Sequence, residues 1–282
     1  MLVSLNKRSL GEKNMTLVLN GGLVEAIEQS EVDVLHSRLS AIKGINGNPM
    51  GVDIQKFGNA TAFSVKNIPG PSFNTIKGLK DGDEKVVSDI IDYYNDREIP
   101  VRFELTPAHT SPALLIYLSE AGFYQTDFHT TLYAGLSYEI KPIDPQITLR
   151  RLKKNEFKLF AEIYVKGFQM PEFLKDGIAQ NNEVLYDNDN WSFFLASIKE
   201  EPAGIGVLFN GNGVSTLAAA ATIPNLRNNG VQTALIQERL NQAKLLNCRL
   251  VVGQAKFASI SQNNMERAGM KVAYTRAIWV KR

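Results

Sequence analysis

The sequence predicts an α/β (α+β) protein built as two related lobes, and three observations carry that expectation. Strand-like and helix-like segments alternate along most of the chain. The two halves share one order of helix, strand, helix, glycine and strand at a constant spacing of 147 residues, so that Gly122 falls on Gly269 and Arg102 on Arg249. Between the halves, the run from Glu139 to Gln146 carries Pro142 and Pro145, and neither helix nor strand periodicity crosses it. The expected division is a first lobe at 1–140, a linker at 141–146 and a second lobe at 147–282.

The second half gives the fuller list of elements. Ile147–Leu152 alternates as a strand, with Thr148 and Arg150 on one side and Leu149 and Arg151 on the other. Glu156–Gly167 is expected to be helical because Phe157, Phe160, Ala161, Tyr164 and Phe168 recur at helical spacing. Trp191–Ile198 and Ala203–Phe209 read as apolar strands, and Asn210-Gly211-Asn212-Gly213 as a hairpin turn. A further strand covers Val214–Thr222 and stops at Pro224. A long helix follows over Gly230–Leu246, then a short buried strand over Arg249–Gly253. Ser259 and Gln262 form a capping box for another helix, which Gly269 closes, and Lys271–Val280 ends as a strand. In the first half, Asp83–Tyr94 and Pro112–Ala121 read as helices, and Val101–Leu105 and Phe123–Tyr133 as strands. Asn46-Gly47-Asn48-Pro49 is a turn.

Composition excludes several classes. At 44% hydrophobic and 21% charged, the 282 residues suit a globular chain rather than a disordered one. No apolar run approaches the ~18 residues of a membrane span, and the first residues lack the succession of a signal peptide. Cys248 is the one cysteine, so no internal disulfide forms and a cytoplasmic location is expected. His36, His109 and His129 do not by themselves make a compact zinc site, and no metal is expected. The net charge of +2 divides unevenly, with −5 on residues 1–140 and +7 on 141–282. Residues 225–282 alone hold 10 basic and 2 acidic side chains, which fits either an anionic ligand or a basic solvated face.

The segment richest in chemistry runs from Thr222 to Leu235 (TIPNLRNNGVQTAL). A strand ends at a proline, and a loop with Arg227, Asn228, Asn229 and Gly230 opens a long helix. Such a turn aims main-chain N–H groups outward at the positive end of a helix dipole, which suits a diphosphate. A plain strand–turn–helix with asparagine as the cap is the other reading.

Here the sequence resembles the GNAT superfamily of acyl-CoA-dependent N-acyltransferases. Arg227 and Gly230 match its Gln/Arg-x-x-Gly-x-Gly/Ala signature, and Gln232 stands where the family has a small residue. The resemblance covers about 147–282 and includes the helix ending Glu266-Arg267-Ala268-Gly269-Met270. It implies two lobes, each a mixed, mostly antiparallel sheet flanked by helices. It also implies acetyl-CoA as co-substrate and an amine-bearing acceptor, a small molecule rather than a protein, with no nucleic acid or membrane partner. Main-chain groups near Ala220, Ala221 and Thr222 would hold the pantetheine arm and polarise the thioester carbonyl. Arg227, Asn228, Asn229, Gly230, Val231, Gln232 and Thr233 would hold the diphosphate, and Ser261 and Asn264 would face the cofactor.

Two departures bear on catalysis. The family often places a tyrosine on the last helix to protonate the leaving thiolate, and that position is Met265. The strand Leu217–Thr222 has no glutamate to act as base. The catalytic groups are therefore unassigned, with Tyr274, Ser261 and Glu172 as weak candidates, and Glu183, Tyr164 and Tyr186 as possible pocket lining. Shifting Arg227–Gln232 back by 147 gives Lys80-Asp81-Gly82-Asp83-Glu84-Lys85, where three carboxylates stand in the diphosphate position. The first lobe is accordingly expected to be a degenerate copy without a cofactor loop. Two functions follow: an N-acetyltransferase in which the amine attacks directly within a ternary complex, or a non-catalytic acyl-CoA sensor. A nucleic-acid binder ranks last, because the basic residues lack interleaved aromatics.

Overall fold

The structure, a computed structural model, describes residues 17–68, 70–135 and 142–281. Residue 141 of the expected linker lies outside them. The first half contains α1 (Gly21–Lys43), β1 (Val52–Phe57), β2 (Ala60–Val65), β3 (Thr75–Lys77), α2 (Val87–Asn95), β4 (Arg102–Leu105), α3 (Pro112–Glu120) and β5 (Phe123–Gly135). The second contains β6 (Ile147–Arg151), α4 (Phe157–Phe168), α5 (Lys175–Glu183), β7 (Trp191–Ile198), β8 (Glu201–Gly211), β9 (Val214–Thr222), α6 (Val231–Leu245), β10 (Leu250–Lys256), α7 (Ile260–Arg267) and β11 (Lys271–Lys281). Every element expected in the second half is present within a few residues, as are the four expected in the first. The spacing of 147 also holds: α3 shifted by it falls on 259–267, and β5 on 270–282.

Local chemistry explains the boundaries. The hairpin between β8 and β9 turns at Asn212 and Gly213, both with positive φ (53° and 73°). Ser259 caps α7, its Oγ accepting from the Gln262 N–H at 3.3 Å, while Gln262 Oε1 accepts from Ala258 N–H at 2.9 Å. Sequence periodicity did not reveal α1 or β1–β3. The buried stripe of α1 mixes Val24, Ile27, Leu35, Leu39 and Ile42 with Glu28, Ser30 and Glu31, so no clean apolar period marks it. Asn20 begins this helix by accepting the Leu23 N–H at 3.0 Å.

All eleven strands join in one sheet, ordered β1-β2-β3-β4-β11-β5-β10-β9-β8-β7-β6. Among the described residues, β3–β4 and β9–β10 pair parallel and every other neighbouring pair is antiparallel. The halves exchange strands. β11, last in the chain, lies between β4 and β5, and β5 in turn lies between β11 and β10. α1 touches β1 near one edge and also β8 and β9 near the other, so the sheet curves around it.

The apolar side chains of α6 face two ways. Val231, Ala234 and Leu235 pack with Ile147, Phe194 and Leu208. Ile236, Leu240 and Ala243 pack with Leu132 of β5, Val251 of β10 and Met265 of α7. Among the described residues no helix is long and apolar enough to cross a membrane.

Candidate functional site

The site forms where two parallel strands part. β9 and β10 pair from Val214 and Leu250 as far as Leu217 and Gly253. Beyond that point Gln254–Lys256 stays paired with Thr131–His129 of β5, whereas Ala219–Thr222 stays paired with Val207–Gly204 of β8. A wedge opens between them. The break coincides with a bulge: Leu208 faces Leu217 but Val207 faces Ala219, which makes Ala218 the extra residue. The Ile223 N–H bonds the Ala203 carbonyl at 2.9 Å and fixes the alternation. The N–H groups of Ala220 and Thr222 therefore turn into the wedge, and the main chain of Ala221 turns toward β8. Ala221 thus offers the wedge no hydrogen bond, which narrows the expectation from the sequence.

The mouth of the wedge is the start of α6. Gly230 precedes the helix with φ of +78°, a conformation that suits a residue without Cβ. Asn228 is also left-handed, at +65°. No side chain caps this helix, and its first internal bond runs from Ala234 N–H to the Gly230 carbonyl at 2.9 Å. Among the described residues, no protein acceptor takes the main-chain N–H groups of 228–233. Asn229 Nδ2 instead donates to the Leu226 and Arg227 carbonyls, which holds the loop shape. The guanidinium of Arg227 donates to the Gly167 carbonyl at 2.7 Å and the Thr222 carbonyl at 3.4 Å, tying loop, α4 and β9 together. Free N–H groups at a positive helix end, reached past a glycine, fit a diphosphate.

The equivalent loop of the first half is built differently. Asp83 is buried ahead of the short turn that leads into α2. Its carboxylate accepts from the Lys80 N–H at 3.0 Å and from Asn59 Nδ2 at 3.1 Å. Asp81 accepts from Ser111 Oγ at 2.5 Å. At the sequence position of Gly230 the first half thus carries a buried carboxylate, which turns back onto Lys80 and Asn59.

Solved structures, but not sequences, then place the chain. No family model and no curated protein matches it. A GCN5-related N-acetyltransferase from Kribbella flavida is similar with a TM-score of 0.67 at 11% identity, over 93% of this chain and 96% of that one. A tandem GNAT protein from the clavulanic acid biosynthesis pathway gives 0.59 at 12% identity, over 95% and 97%. The fold is GNAT-like. A third structure, a GCN5-related N-acetyltransferase from Sphaerobacter thermophilus, is similar to this GNAT-like fold at 0.59 and 13% identity, over 80% and 82%.

The remaining expected site residues scatter. Within the GNAT-like second half, Ser261 is exposed on the first turn of α7, and Asn264 Oδ1 accepts from Arg267 Nη1 at 3.2 Å. Met265 is buried against Gly253, where an added Cβ would sit 2.5 Å from its sulfur. Tyr274 is half-buried with its hydroxyl beside Thr106 and Thr131, and burial pushes its pKa up. Glu172 is exposed and 3.7 Å from Lys175 Nζ. Tyr164 makes tilted ring contacts with Phe160 and Phe168, and Tyr186 meets Phe157 edge to face. Cys248 is buried, its thiol donating to Asn210 Oδ1 at 2.7 Å. His129 pairs in register with Lys256 and Arg276, and burial lowers its pKa.

Among the described residues, Glu25, Glu28 and His109 bring three possible metal-ligating atoms within 4.8 Å. Each already has a protein partner. His109 bonds Glu28 at 2.6 Å and Glu25 at 3.2 Å, Lys80 bonds Glu25 at 2.7 Å, and Thr106 donates to Glu28 at 2.6 Å.

Two features escaped sequence reasoning. One is a buried charge network across the halves, in which Arg276 of β11 bonds Glu31 of α1 and reaches Glu104 of β4 at 3.1 Å. Lys77 bonds the same Glu104 at 2.5 Å. The other is Arg239, buried beneath β9. Its signal was present: it sits four residues after Leu235 and beside Leu240, on the apolar part of α6. The basic C-terminal segment proves dispersed. Arg227 lies on the loop, Arg239 and Arg276 are buried, and Lys244 is at the far end of α6, about 20 Å along the helix.

Proposed function

We propose that the chain is an acyl-CoA-dependent N-acetyltransferase whose second half holds the co-substrate. The observation that carries this is the parting of β9 and β10 beside an uncapped α6, two open main-chain surfaces that meet at one mouth. The N–H group of Thr222 would bond the pantetheine arm as an added strand does, which leaves that of Ala220 for the thioester carbonyl. Those of Asn228, Asn229, Gly230, Val231, Gln232 and Thr233 would take the diphosphate. Bound acetyl-CoA supplies an activated thioester carbonyl. The protein's share is to hold that carbonyl against the Ala220 N–H, to position a neutral amine beside it, and to keep both in place. The new C–N bond replaces the C–S bond, the thiolate leaves, and the amine proton passes to water or to the thiolate.

The acceptor surface draws on both halves in this reading. β5 of the first half borders β10, and α1 covers β8 and β9. The first half, with the buried carboxylate of Asp83 at the position of Gly230, acts as scaffold rather than as a second cofactor site. A small amine suits such a covered site better than a protein does.

Titration with CoA tests the reading. Binding to the folded state alone stabilises by about 2.7 kcal/mol at a hundredfold excess over Kd, a readily seen rise in melting temperature. No response at millimolar CoA overturns the reading. A second reading, an acyl-CoA sensor without turnover, is favoured by one observation: Met265 fills the family's usual acid position and packs into the core. Release of free thiol from acetyl-CoA with any amine in a broad panel decides against the sensor.

A further inference from the structure

We infer that Arg239 is a positioning residue that strengthens the Ala220 N–H as a hydrogen-bond donor toward the thioester carbonyl. The inference rests on the acetyltransferase reading above and deepens it.

Arg239 is 2% exposed, and burying a guanidinium is costly unless it is paired. The other fully buried arginine, Arg276, lies between two glutamates. Among the described residues no carboxylate pairs with Arg239. Its partners are two carbonyls: Leu235, on its own helix, at 2.9 Å from Nε, and Ala219 of β9 at 3.2 Å from Nη1. Burial lowers its pKa only to about 10, so the cation persists at neutral pH.

The choice of Ala219 is informative. It stands directly after the bulge residue, at the start of the stretch that has parted from β10. Its carbonyl and the Ala220 N–H belong to one planar trans peptide, so they point in opposite directions. With the carbonyl turned toward Arg239, the N–H is turned into the wedge. A cation bonded to the oxygen draws electron density across the amide and makes the hydrogen at its other end a better donor. The approach also needs Gly206. An added Cβ there would lie 3.2 Å from Arg239 Nε and 3.2 Å from Leu235 Cδ2. A purely structural tie between α6 and β9 would not require a charge, since an apolar side chain would fill the same space at less desolvation cost.

The test reads the carbonyl directly. Acetyl-CoA carrying a heavy carbon isotope at the carbonyl is bound to the whole chain, and its stretching frequency is measured by difference infrared spectroscopy. In the wild type the stretch should move to lower frequency than in free acetyl-CoA. In Arg239→Met roughly half or more of that shift should be lost, with the dissociation constant for acetyl-CoA changed by less than about threefold. Arg239→Lys, which keeps the charge, should recover part of it. Gly206→Ala, which keeps the arginine but crowds its guanidinium, should reproduce the loss and stands in if Arg239→Met does not fold. Equal shifts in wild type and variants overturn the role of Arg239 while leaving the acetyltransferase reading intact. Failure of the wild type to bind acetyl-CoA overturns both.

Discussion

Buried arginines show how much the immediate neighbours decide. Arg276 sits between Glu31 and Glu104, with Lys77 completing an alternating cluster under α1. Replacing one partner of such a cluster leaves carboxylates buried without their cation, and that is the expensive direction. Arg276→Met should therefore lower stability by about 3–5 kcal/mol in urea unfolding, and adding Glu31→Gln should recover part of the loss. A cost under about 1 kcal/mol would mean that water compensates the carboxylates. An exposed pair behaves differently. Glu156 receives two 2.7 Å hydrogen bonds from Arg150, which hold its carboxyl down to about 2. A lowered carboxylate pKa stabilises the fold above the ordinary carboxylate range and ceases to do so as pH falls through the folded value. The melting temperature of wild type should thus exceed that of Glu156→Gln at neutral pH, and the gap should close as pH falls toward about 2. A gap that persists in acid would point to packing rather than charge.

Among the elements, α6 does the most and was the most legible. Its two apolar faces, its glycine start and its preceding proline-stopped strand were all written locally, in residues a few positions apart. The same holds for the β8–β9 hairpin and for the cap of α7. By contrast, α1 opens on Gly21 and Gly22 and buries Glu28 and Glu31, whose partners lie as far away as Arg276. A stripe of this kind makes sense only once the distant cation is known, so periodicity missed it. β3 has three residues and no visible alternation to find. The wedge was not legible, because the bulge at Ala218 that opens it depends on the pairing with β8. For α6 the decisive test is the residue that precedes it. Gly230→Val places a β-branched side chain at φ of +78°, with its Cβ 3.3 Å from Ile147 Cδ1. The backbone must shift to relieve about 1–2 kcal/mol of strain, and the N–H groups of 228–233 lose their common direction. CoA affinity measured by calorimetry should fall by about tenfold or more, since about 1.4 kcal/mol suffices for that factor. Unchanged affinity would remove α6 from the binding site.

At the scale of the molecule, the two halves share an order of helix, strand, helix and strand yet do not stand as separate sheets. β5 supplies the strand next to β10, and β11 supplies the strand next to β4. A second half made alone would leave β10 with a bare edge beyond its short pairing with β9, and would leave β11 without β4 and β5. Leu250 and Val252 would lose Tyr133 and Ile27, and Val251 would lose Leu132 and Ala134. Exposed strand edges and apolar faces of that kind drive aggregation rather than folding. The fragment 142–282 should therefore lack a cooperative unfolding transition and bind a hydrophobic dye. Produced together with 1–141, it should form a soluble complex, because every strand then has its neighbours. That complex should unfold in one transition and show the same stabilisation by CoA as is expected of the whole chain. If the second half alone unfolds cooperatively and is stabilised by CoA, the strand exchange is dispensable for the site. The first half would then be a companion domain rather than part of the scaffold that holds the wedge open.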